Sequence, residues 1–202
     1  MSSRVGVFGG TFDPPHIGHL ILAAEALSQL RLERVLWVLT PVPPHKLNRA
    51  VTPTPLRIEL VQAAICHSPE FELSRVEIDR PGPHYALDTV RLLREQFPQA
   101  EIVYLMGGDS LRDLHSWYRP DEFLELCAGL GVMRRPGDEI DMQVLDRQLP
   151  GLARKVELVT APLLEISSSQ VRQRASVGKP FRYYLPREVF ERVSALGLYQ
   201  ER

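Results

Sequence analysis

One glycine-rich segment near the start of the chain carries the clearest chemistry in the sequence. Residues 9–19 read Gly-Gly-Thr-Phe-Asp-Pro-Pro-His-Ile-Gly-His. Adjacent glycines let a backbone approach a ligand closely and adopt positive φ angles. Thr11 adds a hydroxyl donor, and a helix that follows would present unpaired N–H groups. The segment matches neither the Walker loop nor the Gly-x-Gly-x-x-Gly fingerprint, so it predicts a phosphate site of another kind.

His16 and His19 stand three residues apart at the start of a predicted helix. That spacing places two side chains on the same side of a helix, where both imidazoles could donate hydrogen bonds to phosphate oxygens. Gly18 would leave room for a nucleotide over the backbone. Two other interpretations stay open, since His16 could cap the helix or the pair could bind zinc. A zinc site would need a third ligand, and Asp13 is the candidate close in sequence.

Two later segments also combine charged side chains with turn-forming residues. Residues 107–110 read Gly-Gly-Asp-Ser after a predicted strand, where Asp109 suits either hydrogen bonds to ribose hydroxyls or an N-cap. Residues 166–172 read Ile-Ser-Ser-Ser-Gln-Val-Arg ahead of a predicted helix. The helix start would attract anions, and Arg172 could bridge phosphates. An ordinary serine cap beside a solvated arginine is the alternative.

Two loops place basic or aromatic side chains near the same sheet edge. Residues 43–46 read Pro-Pro-His-Lys after the second predicted strand. This stiff turn would hold His45 and the flexible cation Lys46 beside the first phosphate site. The alternative is that Lys46 is an exposed loop residue. Trp117 lies in a polar stretch outside any apolar period. It could form a platform for a flat ring or a hydrophobic lid on the sheet.

The apolar pattern predicts the framework that would position these segments. Short apolar runs rich in β-branched residues alternate with segments of helical period. The predicted strands are residues 4–8, 35–39, 71–78 (near an edge), 102–106, 131–133 and 156–160, and the predicted helices are 19–30, 55–67, 87–97, 121–128, 169–175 and 187–196. Such units need right-handed crossovers and give an open parallel sheet. We therefore predict an α/β fold, a single doubly wound Rossmann-like domain over residues 1–202, with a helical C-terminal tail over 165–202.

Proline is over-represented, and its placement bears on the predicted site. The chain has 17 prolines in 202 residues, which is about 8% against a usual share of about 5%. Several follow the first two predicted strands, in segment 9–19 and in loop 41–55. Ligands of doubly wound sheets bind outside the carboxyl ends of the strands. Stiff loops at that edge therefore suggest a pre-shaped pocket, although prolines at 53 and 55 also suit the start of a helix.

The composition limits the class of protein. Hydrophobic residues make up 44% and charged residues 24%, and Lys+Arg 24 against Asp+Glu 25 gives a net charge of −1. These values exclude a disordered, collagen-like or coiled-coil chain. There is no basic excess to favour nucleic acid, so positive charge for an anion must be local. We see no signal peptide and no run of the roughly 20 apolar residues that span a membrane. We expect a cytoplasmic protein whose two cysteines are small buried residues.

The first segment resembles a known family of enzymes. His16-Ile17-Gly18-His19 resembles the His-x-Gly-His signature of the nucleotidyltransferases, which class I aminoacyl-tRNA synthetases share. The longer string 9–19 is similar to that of bacterial nicotinate-nucleotide adenylyltransferases. The segments 43–46, 107–109 and 166–172 and the end of the chain resemble the same family. Ser169 and Val171 replace the family's threonine and isoleucine, which are mild changes.

This resemblance implies a nucleotidyltransferase-type fold and a specific reaction. The chain would transfer the adenylyl group of ATP to nicotinate mononucleotide, giving deamido-NAD and pyrophosphate in NAD biosynthesis. Catalytic roles would fall on His16, His19, Lys46 and Arg172. ATP and its phosphates would contact Gly9, Gly10, Thr11, Phe12, Gly18, His45, Gly107, Asp109, Ile166, Ser167, Ser168 and Ser169. Nicotinate mononucleotide would contact Tyr85, Ala86, Leu87, Trp117 and Tyr118, with Trp117 stacked on the pyridine ring.

One segment departs from the family pattern. The family commonly has Ser-Tyr-Thr ahead of an Asp-Thr or Gln-Thr pair, and residues 84–89 here read His-Tyr-Ala-Leu-Asp-Thr. Ala86 lacks the hydroxyl that helps to hold the pyridine carboxylate. Backbone N–H groups of Leu87 and Tyr118 could still serve. The preference for the acid over the amide form of the mononucleotide is therefore open.

The implied reaction accounts for what the sequence lacks. A phosphate monoester with a second pKa of about 6 is mostly dianionic at pH 7, so attack on ATP needs no general base. We expect Mg²⁺ to bridge the ATP phosphates without a protein metal cage. The alternatives are a small nucleotidyltransferase for nicotinamide mononucleotide, phosphopantetheine or a polyol phosphate, and a non-catalytic nucleotide-sensing module. A tRNA synthetase fragment is disfavoured by length and charge. We expect no nucleic-acid or membrane partner, and the oligomeric state is open.

Overall fold

The computed structural model describes residues 3–42, 51–133, 140–162 and 164–200, and a six-stranded sheet runs through its centre. The strands are β1 (Ser3–Gly10), β2 (Arg34–Leu39), β3 (Phe71–Ser74), β4 (Ala100–Gly107), β5 (Gly129–Met133) and β6 (Val156–Val159). They lie in the order β3-β2-β1-β4-β5-β6, and each neighbouring pair is parallel. The order reverses between β1 and β4. A sheet of this kind binds ligands at that switch point, outside the carboxyl ends of the strands.

Eight α-helices lie within the described ranges and cover both faces of the sheet. They are α1 (Ile17–Gln29), α2 (Thr54–Ile65), α3 (Ala86–Gln96), α4 (Gly108–Asp113), α5 (Pro120–Leu126), α6 (Met142–Gln148), α7 (Ser168–Ser176) and α8 (Arg187–Ala195). The six helices predicted from the apolar period are present with small shifts at their ends. The apolar period does not predict helices α4 and α6, although the N-cap alternative for Asp109 implies a short helix at the position of α4. The doubly wound α/β architecture is confirmed, whereas the extent of the single domain stays a prediction.

Alternation along the central strands divides the core into two clusters. On β1, Val5 and Val7 pack into one cluster and Phe8 into the other. Helices α1, α2 and α8 supply residues to the cluster of Phe8, and α3, α5 and α6 supply the opposite cluster. The continuous apolar run of β2 is buried from residue 35 to residue 39. That burial confirms the prediction of a strand covered on both faces.

The predicted edge strand is shorter than its apolar pattern suggests. Alternation over residues 71–78 predicts eight residues, but β3 ends at Ser74. Strand β3 lies at the edge of the sheet and pairs with β2 alone. The Ser74 Oγ accepts a hydrogen bond from the Val76 N–H at 3.4 Å, and the Asp79 N–H donates to the Arg75 carbonyl at 3.0 Å. These local hydrogen bonds replace the backbone hydrogen bonds to β2 beyond Ser74, because serine side chains compete with backbone pairing between strands.

The cysteines and the hydrophobic surface test two further expectations. Cys127 is buried, as predicted, and burial raises the pKa of its thiol to about 12. Cys66 is exposed at the end of α2, so the prediction that both are buried is wrong for Cys66. The apolar face of α2 ends one residue earlier, at Ile65. Within the described ranges, no helix has the length and apolar character to cross a membrane.

Candidate active site

A cavity of about 460 Å³ lies at the carboxyl edge of the sheet, at the ends of β1 and β4. Its walls come from the loop after β1, the starts of α1 and α4, and the segment that leads into α7. Thirteen of the residues predicted to contact ATP or to act in catalysis line it: Gly9, Gly10, Thr11, His16, Gly18, His19, Gly107, Asp109, Ile166, Ser167, Ser168, Ser169 and Arg172. The fold therefore brings together segments that are far apart in the sequence.

The two histidines lie against each other at the start of α1. Their rings stack with centroids 3.7 Å apart and planes 26° apart, so the prediction that they share one side is confirmed. The His16 backbone N–H donates to His19 Nδ1 at 3.1 Å. Because Nδ1 accepts this bond, a neutral His19 carries its proton on Nε2. His19 can then donate that proton in a hydrogen bond to an anion.

The two other interpretations of the histidine pair were helix capping by His16 and a zinc site. His16 occupies the N-cap position of α1, as the capping interpretation predicts. It also lines the cavity, so the two roles are compatible. For zinc, no third ligand joins the pair among residues 3–42, 51–133, 140–162 and 164–200. The group of ligand atoms close enough for a metal ion in those ranges is Cys66, His67 and Glu188, at the surface beside α2 and α8.

The glycines of the first loop line the cavity, as the predicted phosphate contact requires, but without the predicted backbone conformation. A positive φ was expected at Gly9 or Gly10, and this is wrong, because the left-handed residue of the loop is Phe12, with φ 48°. A Cβ on Gly10 would lie 2.8 Å from Phe12 Cζ, and one on Gly9 would lie 2.9 Å from Tyr104 Oη. The glycines thus make room for two rings of the protein itself. Phe12 is 2% exposed and packs edge-on against His19, so its backbone alone could make the predicted ATP contact.

The start of α7 is fastened to the first loop. The Ser167 Oγ caps the helix by accepting from the Gln170 N–H at 3.2 Å, and the Ser168 Oγ donates to the Pro14 carbonyl at 2.8 Å. Arg172 donates from Nη1 to the Asp13 carbonyl and from Nη2 to the Ser169 Oγ at 2.9 Å. Two helix N-termini and a guanidinium therefore meet at one cavity wall, an arrangement that favours a phosphate ligand.

Asp109 lines the same cavity from the start of α4. The N-cap residue of α4 is Gly107 and Asp109 stands in its first turn, so the capping alternative for Asp109 is wrong. The Asp109 side chain is exposed and lines the cavity. A Cβ on Gly107 would lie 2.5 Å from Asp109 Oδ1. Glycine at position 107 therefore allows the carboxylate to take this place, where ribose hydroxyls could donate to it.

Comparison with known proteins assigns this arrangement to a family. The Cytidylyltransferase-like family model matches residues 7–174. A probable nicotinate-nucleotide adenylyltransferase of Thermomicrobium roseum is 44% identical over 198 residues, which cover 98% of this chain and 92% of the relative. The nicotinate-nucleotide adenylyltransferase of Bacillus subtilis is 38% identical, with 98% of both chains covered. The chain belongs to the nicotinate-nucleotide adenylyltransferase family.

Solved structures carry the same fold as this adenylyltransferase. A Plasmodium falciparum nicotinic acid mononucleotide adenylyltransferase complexed with NaAD matches with a TM-score of 0.80 at 18% identity, over 98% of this chain and 97% of that one. A putative nicotinate-nucleotide adenylyltransferase from Vibrio parahaemolyticus matches with a TM-score of 0.71 at 21% identity, over 99% and 97%. The fold expected from the resemblance is confirmed.

The residues predicted to hold the mononucleotide lie apart from the cavity lining of the adenylyltransferase. Tyr85 and Tyr118 stack with ring centroids 4.3 Å apart and planes 18° apart. Trp117 is half-buried and packs against Phe123 at 5.4 Å and Tyr104 at 6.1 Å. These contacts resemble the hydrophobic-lid alternative, so pyridine stacking by Trp117 stays a prediction. Ala86 and Leu87 begin helix α3, whose first N–H groups lack intrahelical partners.

Two predicted residues of the adenylyltransferase cannot be placed. His45 and Lys46 fall within residues 43–50, outside the described part of the chain. The chain leaves that part at Val42, after the end of β2, and re-enters it at Val51, which lines the cavity. The roles of His45 and Lys46 therefore stay predictions.

A buried arginine of the adenylyltransferase was missed in the sequence. Arg57 on α2 is 1% exposed, and burial lowers the pKa of its guanidinium while the Asp13 charge opposes that shift. A signal was present, because Arg57 stands three, four and seven residues before Leu60, Val61 and Ala64. An arginine on the apolar stripe of a helix is an exception to the usual pattern.

Proposed function

We propose that this chain transfers the adenylyl group of ATP to nicotinate mononucleotide, giving deamido-NAD and pyrophosphate in NAD biosynthesis. The observation that carries the proposal is the meeting of the His16–His19 pair, the N-terminus of α7 and Arg172 at one cavity. That cavity lies at the switch point of the sheet. Membership of the nicotinate-nucleotide adenylyltransferase family supports the same reaction.

The reaction needs charge stabilisation more than proton transfer. The mononucleotide phosphate attacks the α-phosphorus of ATP in line, the new P–O bond forms, and the bond to pyrophosphate breaks. Because the nucleophile is already mostly dianionic at pH 7, no side chain has to remove a proton from it. A covalent enzyme intermediate is not needed either, and the buried Cys127 thiol is unsuited to one. The protein has to position two polyanions and stabilise the charge that develops between them.

We assign each part of the two substrates to particular side chains and helix ends of the cavity. We assign the His19 Nε2–H, opposite the Nδ1 that His16 fixes, to a phosphate oxygen that gains charge in the transition state. Arg172 and the N-terminus of α7 are assigned to the departing pyrophosphate. Asp109 is assigned to the adenosine ribose. We assign His45 and Lys46 to the phosphates as well, from the resemblance alone.

The cavity suits a divalent cation that arrives with ATP. Two carboxylates, Asp13 and Asp109, are among its lining residues. Asp13 is 5% exposed and accepts from the Tyr199 hydroxyl at 2.8 Å and the Thr52 N–H at 3.3 Å. This leaves Asp109 as the exposed carboxylate of the lining, which fits a Mg²⁺ that keeps its waters and uses phosphate ligands. When bound, Mg²⁺ would supply positive charge that offsets the negative charge of the ATP phosphates.

The pyridine end of the mononucleotide is proposed to lie at Trp117 and its neighbours. We expect Trp117→Ala to raise KM for nicotinate mononucleotide several-fold more than KM for ATP, since loss of a stacked ring costs about 1 kcal/mol. Steady-state kinetics with each substrate varied in turn provides the measurement. Phe123→Leu, which alters packing beneath Trp117, is the control for indirect effects. Equal changes in both KM values would contradict stacking on the pyridine.

The acceptor is tested by comparing substrates. Pyrophosphate release should be followed with ATP plus nicotinate mononucleotide, nicotinamide mononucleotide or phosphopantetheine. We expect the highest kcat/KM with the acid form, because the N-terminus of α3 near Ala86 and Leu87 favours a carboxylate. Higher kcat/KM with the amide would show that the acceptor is nicotinamide mononucleotide. This second candidate is favoured by the missing hydroxyl at Ala86. Nucleic acid and membranes are not proposed as partners, and the cytoplasmic location stays a prediction.

A further inference from the structure

Arg57 uses its whole guanidinium to hold backbone next to the cavity. Its Nε donates to the Thr52 carbonyl at 2.8 Å. Its Nη1 donates to the Thr11 and Thr40 carbonyls, both at 2.9 Å. Its Nη2 donates to the Pro41 carbonyl at 2.6 Å and to the Thr54 Oγ1 at 3.2 Å. A guanidinium has five N–H donors, so every donor has a partner.

The acceptors belong to three separate segments of the chain. Thr11 lies in the loop after β1, Thr40 and Pro41 follow β2, and Thr52 and Thr54 lie at the start of α2. The loop after β1 carries the histidine pair. The segment between Pro41 and Thr52 carries the predicted His45 and Lys46. One planar group therefore holds the loop after β1 against the end of β2 and the start of α2.

The orientation of these carbonyls matters for a polyanionic ligand. A carbonyl oxygen carries partial negative charge and would repel a phosphate if it pointed into the cavity. Arg57 is buried and is not part of the cavity lining, so the carbonyls that it binds are turned towards the interior. The buried cation also adds positive potential close to the phosphate site in a protein of near-neutral net charge.

Asp13 and Tyr199 extend this support to the end of the chain. The Asp13 carboxylate accepts from the Tyr199 hydroxyl and from the Thr52 N–H. Thr52 thus donates to Asp13 and accepts from Arg57. Tyr199 has a positive φ of 65°, and burial raises the pKa of its hydroxyl, so it stays a hydrogen-bond donor.

We propose that Arg57, supported by Asp13 and Tyr199, is the positioning residue that fixes the loop after β1, which leads to the histidine pair, against the end of β2 and the start of α2. The inference rests on the proposed function. Packing alone does not require an arginine here, because burial of a cation costs free energy that an apolar side chain would not. The five paired donors are explained by the loops that they hold.

The conservative variant Arg57→Lys tests the proposal. Lysine keeps the charge but has three donors on one atom, so it cannot bind all five acceptors. We expect kcat to fall at least about tenfold and KM for ATP to rise, since small misplacements of a site are costly. KM for nicotinate mononucleotide should change less than KM for ATP. Steady-state kinetics at a temperature where circular dichroism shows the variant folded gives these values.

Two controls separate positioning from stability. Val193→Ala removes buried volume in the same core cluster, on α8, and should lower the melting temperature without lowering kcat. Arg192→Lys alters an exposed ion pair with Glu59 and should change neither value. Folded Arg57→Lys with wild-type kcat and wild-type KM for ATP would overturn the proposal. An equal loss of kcat in Val193→Ala would overturn it as well.

A second variant decides the matter if Arg57→Lys does not fold. Tyr199→Phe removes one hydroxyl and leaves the ring in place, so we expect a folded protein with the same pattern at a smaller scale, about threefold in kcat. A Tyr199→Phe protein that matches the wild type in kcat and in KM for ATP would overturn the proposal.

Binding of a non-hydrolysable ATP analogue keeps this test independent of the acceptor. Calorimetric titration without mononucleotide should give a weaker Kd for Arg57→Lys than for Arg192→Lys. If the wild type binds the analogue but does not turn over nicotinate mononucleotide, the proposed function fails while the Arg57 comparison still stands. If the analogue binds equally to both variants, the positioning role is overturned whatever the acceptor is.

Discussion

Replacement of His19 by alanine is expected to lower kcat for adenylyl transfer at least about 10²-fold, the scale of one lost transition-state donor. The ring stacks on His16 at 3.7 Å and its Nδ1 accepts from the His16 N–H. We assign the proton on Nε2 to a phosphate oxygen in the transition state. Because that bond would form chiefly in the transition state, KM for ATP should change much less than kcat. Steady-state kinetics on protein shown to be folded by circular dichroism checks this.

Two amide replacements divide the roles of the His19 ring. Asparagine can accept from the His16 N–H, as Nδ1 does, but its side chain is too short to replace Nε2. Glutamine places an N–H₂ group nearer to the position of Nε2. We expect His19→Asn to keep thermal stability and lose as much kcat as the alanine variant, and His19→Gln to recover part of the activity. Near-normal turnover in His19→Asn would show that the Nε2 proton does not act.

Replacement of Arg172 by methionine is expected to lower kcat by about 10²-fold or more, since a guanidinium donor to departing pyrophosphate is removed. Arg172 lies one turn into α7 and binds the Asp13 carbonyl. The variant also frees that carbonyl, so KM for ATP should rise. Initial rates over a range of ATP concentrations separate the two effects.

The control for Arg172 is another arginine with the same change of charge. Arg187→Met removes an exposed ion pair with Glu191 on α8 and should leave kcat and KM unchanged. Arg172→Lys keeps a point charge without the planar fork and should fall between wild type and Arg172→Met. If Arg172→Met and Arg187→Met have the same kcat, the assignment of Arg172 to the phosphates is wrong.

The main outline of the fold was predictable because both periods in the sequence are strong. The apolar runs at 35–39 and 102–106 became buried strands, and the helices at 19–30 and 87–97 shifted by at most two residues. Helix α4 has only six residues and gives no apolar period, so only the N-cap alternative for Asp109 pointed to it. Helix α6 had a usable signal, since Asp141 caps it by accepting from the Gln143 and Val144 N–H groups. Local capping was therefore informative where periodicity was weak.

The phosphate side of the site was predictable because parallel strands share one carboxyl edge. His16 follows β1, Asp109 follows β4 and Ser168 follows β6. The parallel order of these strands brings all three residues to one cavity. What could not be predicted were long-range contacts without a local pattern. The Tyr199–Asp13 hydrogen bond joins the two ends of the chain. The conformation of Phe12 also depends on the place of its ring in the core, so the positive φ was predicted at the neighbouring glycines instead of at Phe12.

The charge balance acquires a clearer meaning from the structure. A net charge of −1 gives no general attraction for a polyanion, so the site depends on local devices. These are the starts of α1 and α7, the Arg172 side chain at the wall and the Arg57 guanidinium behind it. Positive potential of this kind acts over short distances and is only partly screened by salt where it is buried.

The central claim is tested most directly by following the α-phosphate of ATP. The wild-type protein should be incubated with nicotinate mononucleotide, Mg²⁺ and ATP that carries a radioactive α-phosphate, and the products separated by chromatography. We predict that the label appears in deamido-NAD while the released pyrophosphate is unlabelled, and that His19→Ala slows this transfer at least about 10²-fold. Label that stays in ATP, or that is transferred to phosphopantetheine and not to nicotinate mononucleotide, would contradict the account.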